Sequence, residues 1–147
     1  MIFSIENVIN SLAGVLKEKY PYPVYANPNQ QGTKYPCFFI MQMPSTIESQ
    51  TSGRFYRDLG LDIIFVQQRN IPNAYKEIRS IAEYLDENLE LFTYSDDKNT
   101  VKLRTYERKW SIEDSELHYK FHIKQRVSVP RNSIYMGELE ELNGTIK

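Results

Sequence analysis

The sequence predicts a single α+β domain, an antiparallel or mixed β-sheet carrying two amphipathic helices. Two segments repeat apolar residues at spacings of three and four, the helical period, while most other apolar residues alternate or run in short stretches. The order is helix, strands, helix, strand hairpin, which suits an antiparallel sheet better than alternating βαβ units. The length of 147 residues fits one core, and 41% hydrophobic with 25% charged residues is an ordinary globular balance.

Ser4 caps the first helix, with Glu6 in its first turn where the helix dipole favours an acid. Ile5, Val8, Ile9, Leu12, Val15, Leu16 and Tyr20 share one face, and Pro21 and Pro23 end the helix. Val24 to Ala26 reads as a short strand before the turn-rich stretch Asn27 to Gly32. Pro36 to Met43 is apolar on both faces, the pattern of a strand covered on each side. Ser45 to Gly53 reads as a polar, flexible link. In the next strand Phe55, Leu59, Leu61, Ile63 and Phe65 alternate with Tyr56, Asp58, Gly60 and Asp62, so one side is buried and the other solvated.

Pro72 opens the second helix, in which Ile71, Tyr75, Ile78, Ile81, Ala82, Leu85 and Leu89 take one face. Ser95 to Asn99 is a turn. Strands follow at about Thr100 to Trp110 and Leu117 to Val129, linked through Ser111 to Glu116. In the last strand Leu117, Tyr119, Phe121, Ile123, Val127 and Val129 face one way and His118, Lys120, His122, Lys124, Arg126 and Ser128 the other. The compact domain spans residues 1–130, and residues 131–147 read as an arm carrying the acids Glu138, Glu140 and Glu141.

Composition narrows the function. A net charge of −1 argues against a dedicated nucleic-acid binder. One cysteine, Cys37, excludes an internal disulfide and suits a reducing cytoplasm. The first residues show no signal-peptide pattern, and no apolar run approaches the ~18 residues of a membrane span, so no membrane partner is expected. The 11 tyrosines fit either an interface or an aromatic core.

The search for chemistry yields no catalytic, cofactor or metal residue. No Gly-rich phosphate loop or nucleophile-elbow motif occurs, and one Cys with two His cannot form a structural zinc site. His118 and His122 lie four apart on a strand, roughly 13 Å by strand rise, and read as ordinary solvated histidines. Cys37, between Pro36 and Phe38, reads as a buried inert thiol. The chain is therefore expected not to be an enzyme and to need no cofactor.

One constellation stands out as a candidate interface. If Val101, Leu103 and Thr105 meet the core beside Phe121, Ile123 and Val127, strand parity gathers Lys102, Arg104 and Arg108 with Lys120, Lys124 and Arg126 on the other face. Tyr106, Trp110 and Ile112 are expected there too. Like charges across strands repel, so an acid should cover them. The readings are a solvated face edged by Glu107 and Glu113, an acidic protein surface such as the arm, or nucleic acid. The polar segment from Ser45 to Arg54 is a second candidate contact.

A further pattern runs through the chain. The amphipathic helix and Tyr-containing short strand lead to Gln31-Gly32 and Tyr35-Pro36-Cys37-Phe38-Phe39-Ile40. A polar hairpin, Arg54-Phe55-Tyr56-Arg57, a long helix and a closing hairpin follow. From about Ile5 to Val129 this resembles the phage tail terminator family of Firmicutes prophages and contractile tail particles. The resemblance implies a structural protein of the virion or particle, assembled in the host cytoplasm. Its subunits would form a ring, usually a hexamer, on the head-proximal end of the tail tube. Its partners would be the tube protein and, where present, sheath and neck proteins, with DNA passing through the lumen unbound. A neck or head-completion protein, or a small-molecule-binding α+β module, are the alternative readings.

Overall fold

The computed structural model describes residues 4–26, 32–68 and 72–128. Helix α1 (Ile5–Lys19) starts at Ser4, whose hydroxyl accepts a hydrogen bond from the Asn7 amide at 3.3 Å. That bond satisfies one of the free amides of the first turn. Glu6 in the first turn and Lys17 and Lys19 in the last complement the dipole. Helix α2 (Ala74–Asn88) follows Pro72 and begins behind Asn73, held in the left-handed region at φ 62°.

The strands are β1 (Val24–Tyr25), β2 (Cys37–Gln42), β3 (Thr46–Ser49), β4 (Arg54–Val66), β5 (Leu91–Ser95), β6 (Thr100–Glu113) and β7 (Glu116–Ser128). They form one sheet in the order β1-β2-β4-β7-β6-β5, with β3 also paired to β4. Among the described residues only β1 runs parallel to its neighbour, so the sheet is mixed, and the expected single-domain α+β class is the one observed.

The core forms where the apolar parity of the central strands coincides. Leu59, Leu61, Ile63 and Phe65 stand opposite Ile123, Phe121, Tyr119 and Leu117, and each is at most 2% exposed. Val8, Leu12 and Leu16 of α1 and Ile78, Ile81, Ala82 and Leu85 of α2 join them in one cluster, so both helices cover the same sheet face. Each such Val, Leu, Ile or Phe side chain stabilises the fold by about 1.5–3 kcal/mol through burial. The tyrosines serve this core more than a surface: Tyr94 and Tyr119 are fully buried, and Tyr20, Tyr22 and Tyr84 pack around Phe38 and Phe65.

Four details differ from the sequence reading. Tyr75, expected on the buried face of α2, is 46% exposed, and Ile71 lies outside the described residues. The link from Ser45 to Gly53 is ordered backbone. Thr46–Ser49 pairs with β4 as β3, and Gln50 N–H closes the hairpin on the Arg54 carbonyl at 2.8 Å. Strand β5 was hidden because Leu89, Leu91 and Phe92 continue the apolar run of α2 without a Gly or Pro between them. Strand β6 runs on to Glu113, and the hairpin turns at Asp114 and Ser115, with φ 51° and 62°.

Positive φ at both central residues is the type I′ turn, whose twist matches that of the strands and which favours glycine. Ser115→Gly should therefore raise stability by about 0.5–1 kcal/mol in urea unfolding, because the left-handed conformation costs an L-residue about 1–2 kcal/mol before the entropy of glycine offsets part of it.

Two phenols, the partly buried Tyr20 and the fully buried Tyr119, set an alkaline limit. Tyr20 is pushed up from 10.0 to about 12, first by burial and then by Tyr84, Glu77 and Tyr22. Tyr119 is raised by burial and then by Asp86, whose Oδ1 accepts its hydroxyl proton at 2.7 Å. The fold thus holds the neutral phenols. Their contribution is whole below the unfolded value near pH 10 and is lost as pH rises through the folded values. Far-UV circular dichroism should show stability falling from about pH 10 towards 12, and Tyr20→Phe should flatten that fall.

Candidate interface on the open sheet face

The sheet face opposite the helices is built by parity. Strand β4 turns Tyr56, Asp58, Gly60, Asp62 and Ile64 to it, and β7 turns Arg126, Lys124, His122, Lys120 and His118 into register with them. Strand β2 adds Cys37, Phe39 and Met41 beside Val66, Ile64 and Asp62.

Of the expected basic group, Lys120, Lys124 and Arg126 are on this face. The acids that answer them come from β4, whose polar side, expected to face solvent alone, lies in register with these cations. Asp58 stands opposite Lys124 and Asp62 opposite Lys120. His122 Nδ1 is 2.7 Å from Asp58 Oδ1, and His118 Nδ1 is 3.0 Å from Asp62 Oδ2. Lys124 Nζ also reaches Glu107 Oε2 at 3.2 Å, which raises its pKa, and lies 5.5 Å from the centre of the Tyr106 ring. The two histidines, expected in open solvent, are partly buried and each is engaged by an aspartate.

Lys102 and Arg104 have the expected parity but belong to the half of β6 that pairs with β5. Lys102 Nζ donates to Thr93 Oγ1 at 2.8 Å, and Arg104 to Glu90 Oε1 at 3.2 Å. Arg108, Trp110 and Ile112 are not on this face. A bulge between Tyr106 and Lys109, with Glu107 at φ 54°, inserts a residue and inverts the parity beyond it. Trp110 and Ile112 then oppose Tyr119 and Leu117 on the helix side, and Arg108 donates to the Asp86 carbonyl of α2 at 2.9 Å. Lys109 takes the vacated side, directly opposite Lys120. Arg54 opens β4 beside Ser128, exposed at the end of the sheet. Glu138, Glu140 and Glu141, and the arm's proposed contact with this face, lie outside the described residues.

Two further groups have chemical potential. Asp58, Glu107 and His122 place one ligand atom each within 4.8 Å of one another, but the Lys124 ammonium already supplies the positive charge there. The Cys37 thiol is fully buried and pushed up to about 11, by burial and then by Glu116, so little thiolate forms at neutral pH. At the end of the sheet an open groove of about 1090 Å³ runs between Tyr35, Gln67, Gln68, Tyr75 and Glu116.

The described residues thus define a two-layer α+β domain whose helices cover one sheet face and whose other face carries a ladder of paired charges. The chain belongs to the phage tail terminator family: the family model, described as phage tail terminator protein, matches residues 7–134. It is accordingly a structural component of a phage tail. No curated protein matches the chain.

Asp62 is the most constrained member of the ladder, 7% exposed, and its Oδ1 has no hydrogen-bond partner among the described residues. It stands opposite Lys120, on the other side of β7 from Lys109, and its charge offsets the repulsion between these two lysines, which face each other across β6 and β7. Asp62→Ala should cost about 1–3 kcal/mol in urea unfolding, and added salt should recover part of the loss by screening the lysines.

Proposed function

We propose that copies of this chain close into a ring on the head-proximal end of the tail tube. There the ring ends polymerisation of the tube, and of the sheath where one is present, and offers a docking surface to the neck. The observation that carries this reading is the match to the tail terminator family over residues 7–134, which spans nearly all of the described fold. In a particle that carries DNA, the nucleic acid passes through the lumen without specific contacts, in keeping with a net charge of −1.

The same reading gives the chain no reaction of its own. A nucleophile needs a base within hydrogen-bond reach. Cys37 is buried among apolar neighbours, and both histidines are held by aspartates in the ladder. What the fold offers a neighbour is shape, exposed strand backbone and charge.

Native mass measured with and without purified tube protein tests the proposal. The isolated chain should be monomeric or weakly associated, and tube ends should recruit a multiple, with a hexamer expected. Tails assembled without the chain should overrun their normal length. Binding to a portal or neck component, with none to the tube, would replace this reading with a neck protein.

A further inference from the structure

At the end of the sheet near the β3–β4 turn, two strand edges are left unpaired among the described residues. There β4 is flanked by β3 on one side and by the last five residues of β7 on the other. Among the described residues, no strand pairs with the far edge of β3 or with the far edge of β7 beyond Ile123. Bare edges of this kind are templates for another strand.

The open edge of β7 has a cause in the sequence. Had β6 continued beside β7 in the register of Thr105 and Ile123, Arg104 would face Lys124 and Lys102 would face Arg126. Like charges directly opposite repel. Strand β6 leaves instead and pairs with β5, where Arg104 meets Leu91 and Lys102 meets Thr93. The abandoned edge carries Lys124 and Arg126 on the open face, and it fits a strand with an acid on that side.

Strand β3 is such a strand. Glu48 lies on the open face in a row with Tyr56 and Arg126, and Ile47 lies on the other face in a row with Arg57 and Gln125. All four residues of β3 are exposed, Ile47 by 55%. Since β3 and β7 both run antiparallel to β4, they run parallel to each other, and each can extend the sheet of a neighbouring copy in the same sense. One surface then meets a different surface of the next copy, the type of contact that closes a ring.

We propose that copies of this chain join edge to edge, β3 of one against the Lys124–Ser128 stretch of β7 in the next, with Glu48 beside the cations of that edge. The inference rests on the ring reading above and assigns its subunit contact. Pairing of β3 with β3 across a two-fold axis would bring two acidic edges together and leave the cationic edge unfilled.

Geometry makes the test specific. Within one copy Glu48 and Arg126 flank Tyr56, two strand spacings or about 9.6 Å apart, beyond the ~7 Å that a disulfide spans between Cα atoms. In the proposed contact they become neighbours across a single spacing. The full-length double variant Glu48→Cys/Arg126→Cys, oxidised on purified tube, should therefore give a covalent ladder ending at the ring, while each single variant gives none. Cys37, fully buried, stays out of the reaction. As a second measurement, Glu48→Arg should weaken ring assembly by about fivefold per contact, and adding Arg126→Glu should restore it.

Rings of unchanged mass without a ladder and indifferent to charge reversal overturn the edge assignment and leave the ring reading standing. Disulfide dimers of Glu48→Cys alone overturn it in favour of two-fold pairing. If the unmodified chain forms no ring on tube ends, the ring reading falls and the edge contact with it.

Discussion

Everything in this domain is referred to the ladder between β4 and β7, which pair without interruption from Arg54 opposite Ser128 to Val66 opposite Glu116. Side chains alternate between faces with a period of two, so this one register decides which residues meet the helices and which face away. It places Leu59, Leu61, Ile63 and Phe65 against their apolar counterparts, and the helices follow because that is where apolar surface can be covered. It equally places Asp58 and Asp62 among the cations of β7. The core and the charged face are two sides of a single pairing.

The bulge at Tyr106–Lys109 limits how far that logic extends. On its near side β6 obeys the parity of β7, with Thr105 opposite Ile123 and Tyr106 opposite His122. On its far side the parity is inverted, which sends Trp110 and Ile112 towards the core and Lys109 outward. The inversion has a purpose in packing. Ile112 joins the partly buried residues around the core, and Arg108 ties the strand to the carbonyl of Asp86 on α2. Without the extra residue, Arg108 would stand in the row of cations and the end of α2 would lose its donor.

These two features explain what could be read in the sequence. Helix α1, with its Ser4 cap, and the alternating strands β4 and β7 were legible because each carries its own periodic signal, and the α+β class followed from them. The cation face was legible only as far as Lys120, Lys124 and Arg126, since parity along one strand is local. Asp58 and Asp62 were visible as the polar side of β4, but joining them to β7 needed the register between two strands far apart in sequence, for which the apolar alternation of both strands was the available signal. The bulge had no such signal: Tyr106-Glu107-Arg108-Lys109 contains no glycine, and Glu107 takes up the left-handed conformation itself. Strands β3 and β5 were missed for opposite reasons, one having a single apolar residue, Ile47, and the other being merged with the apolar run of α2.

The charged ladder also shows how register is fixed, because charge alone would not fix it. Cationic or titratable side chains occupy every outward position of β7 from His118 to Arg126, while the aspartates of β4 recur four apart. Sliding one strand by two residues would keep each aspartate opposite a basic side chain and every side chain on its own face. Coulomb attraction is therefore nearly indifferent to such slips. Gly60 is not. It is the only glycine of β4, it stands opposite His122, and a Cβ there would lie 3.1 Å from Met43 Cβ and 3.4 Å from His122 Cε1. Met43 is held over this point because its amide donates to the Gly60 carbonyl at 2.9 Å, where β2 gives way to β3. A two-residue slip of β4 would put a side chain beneath Met43 and opposite His122. Steric fit at Gly60 chooses among registers that the charges leave nearly equal, and the charges then stabilise the register chosen.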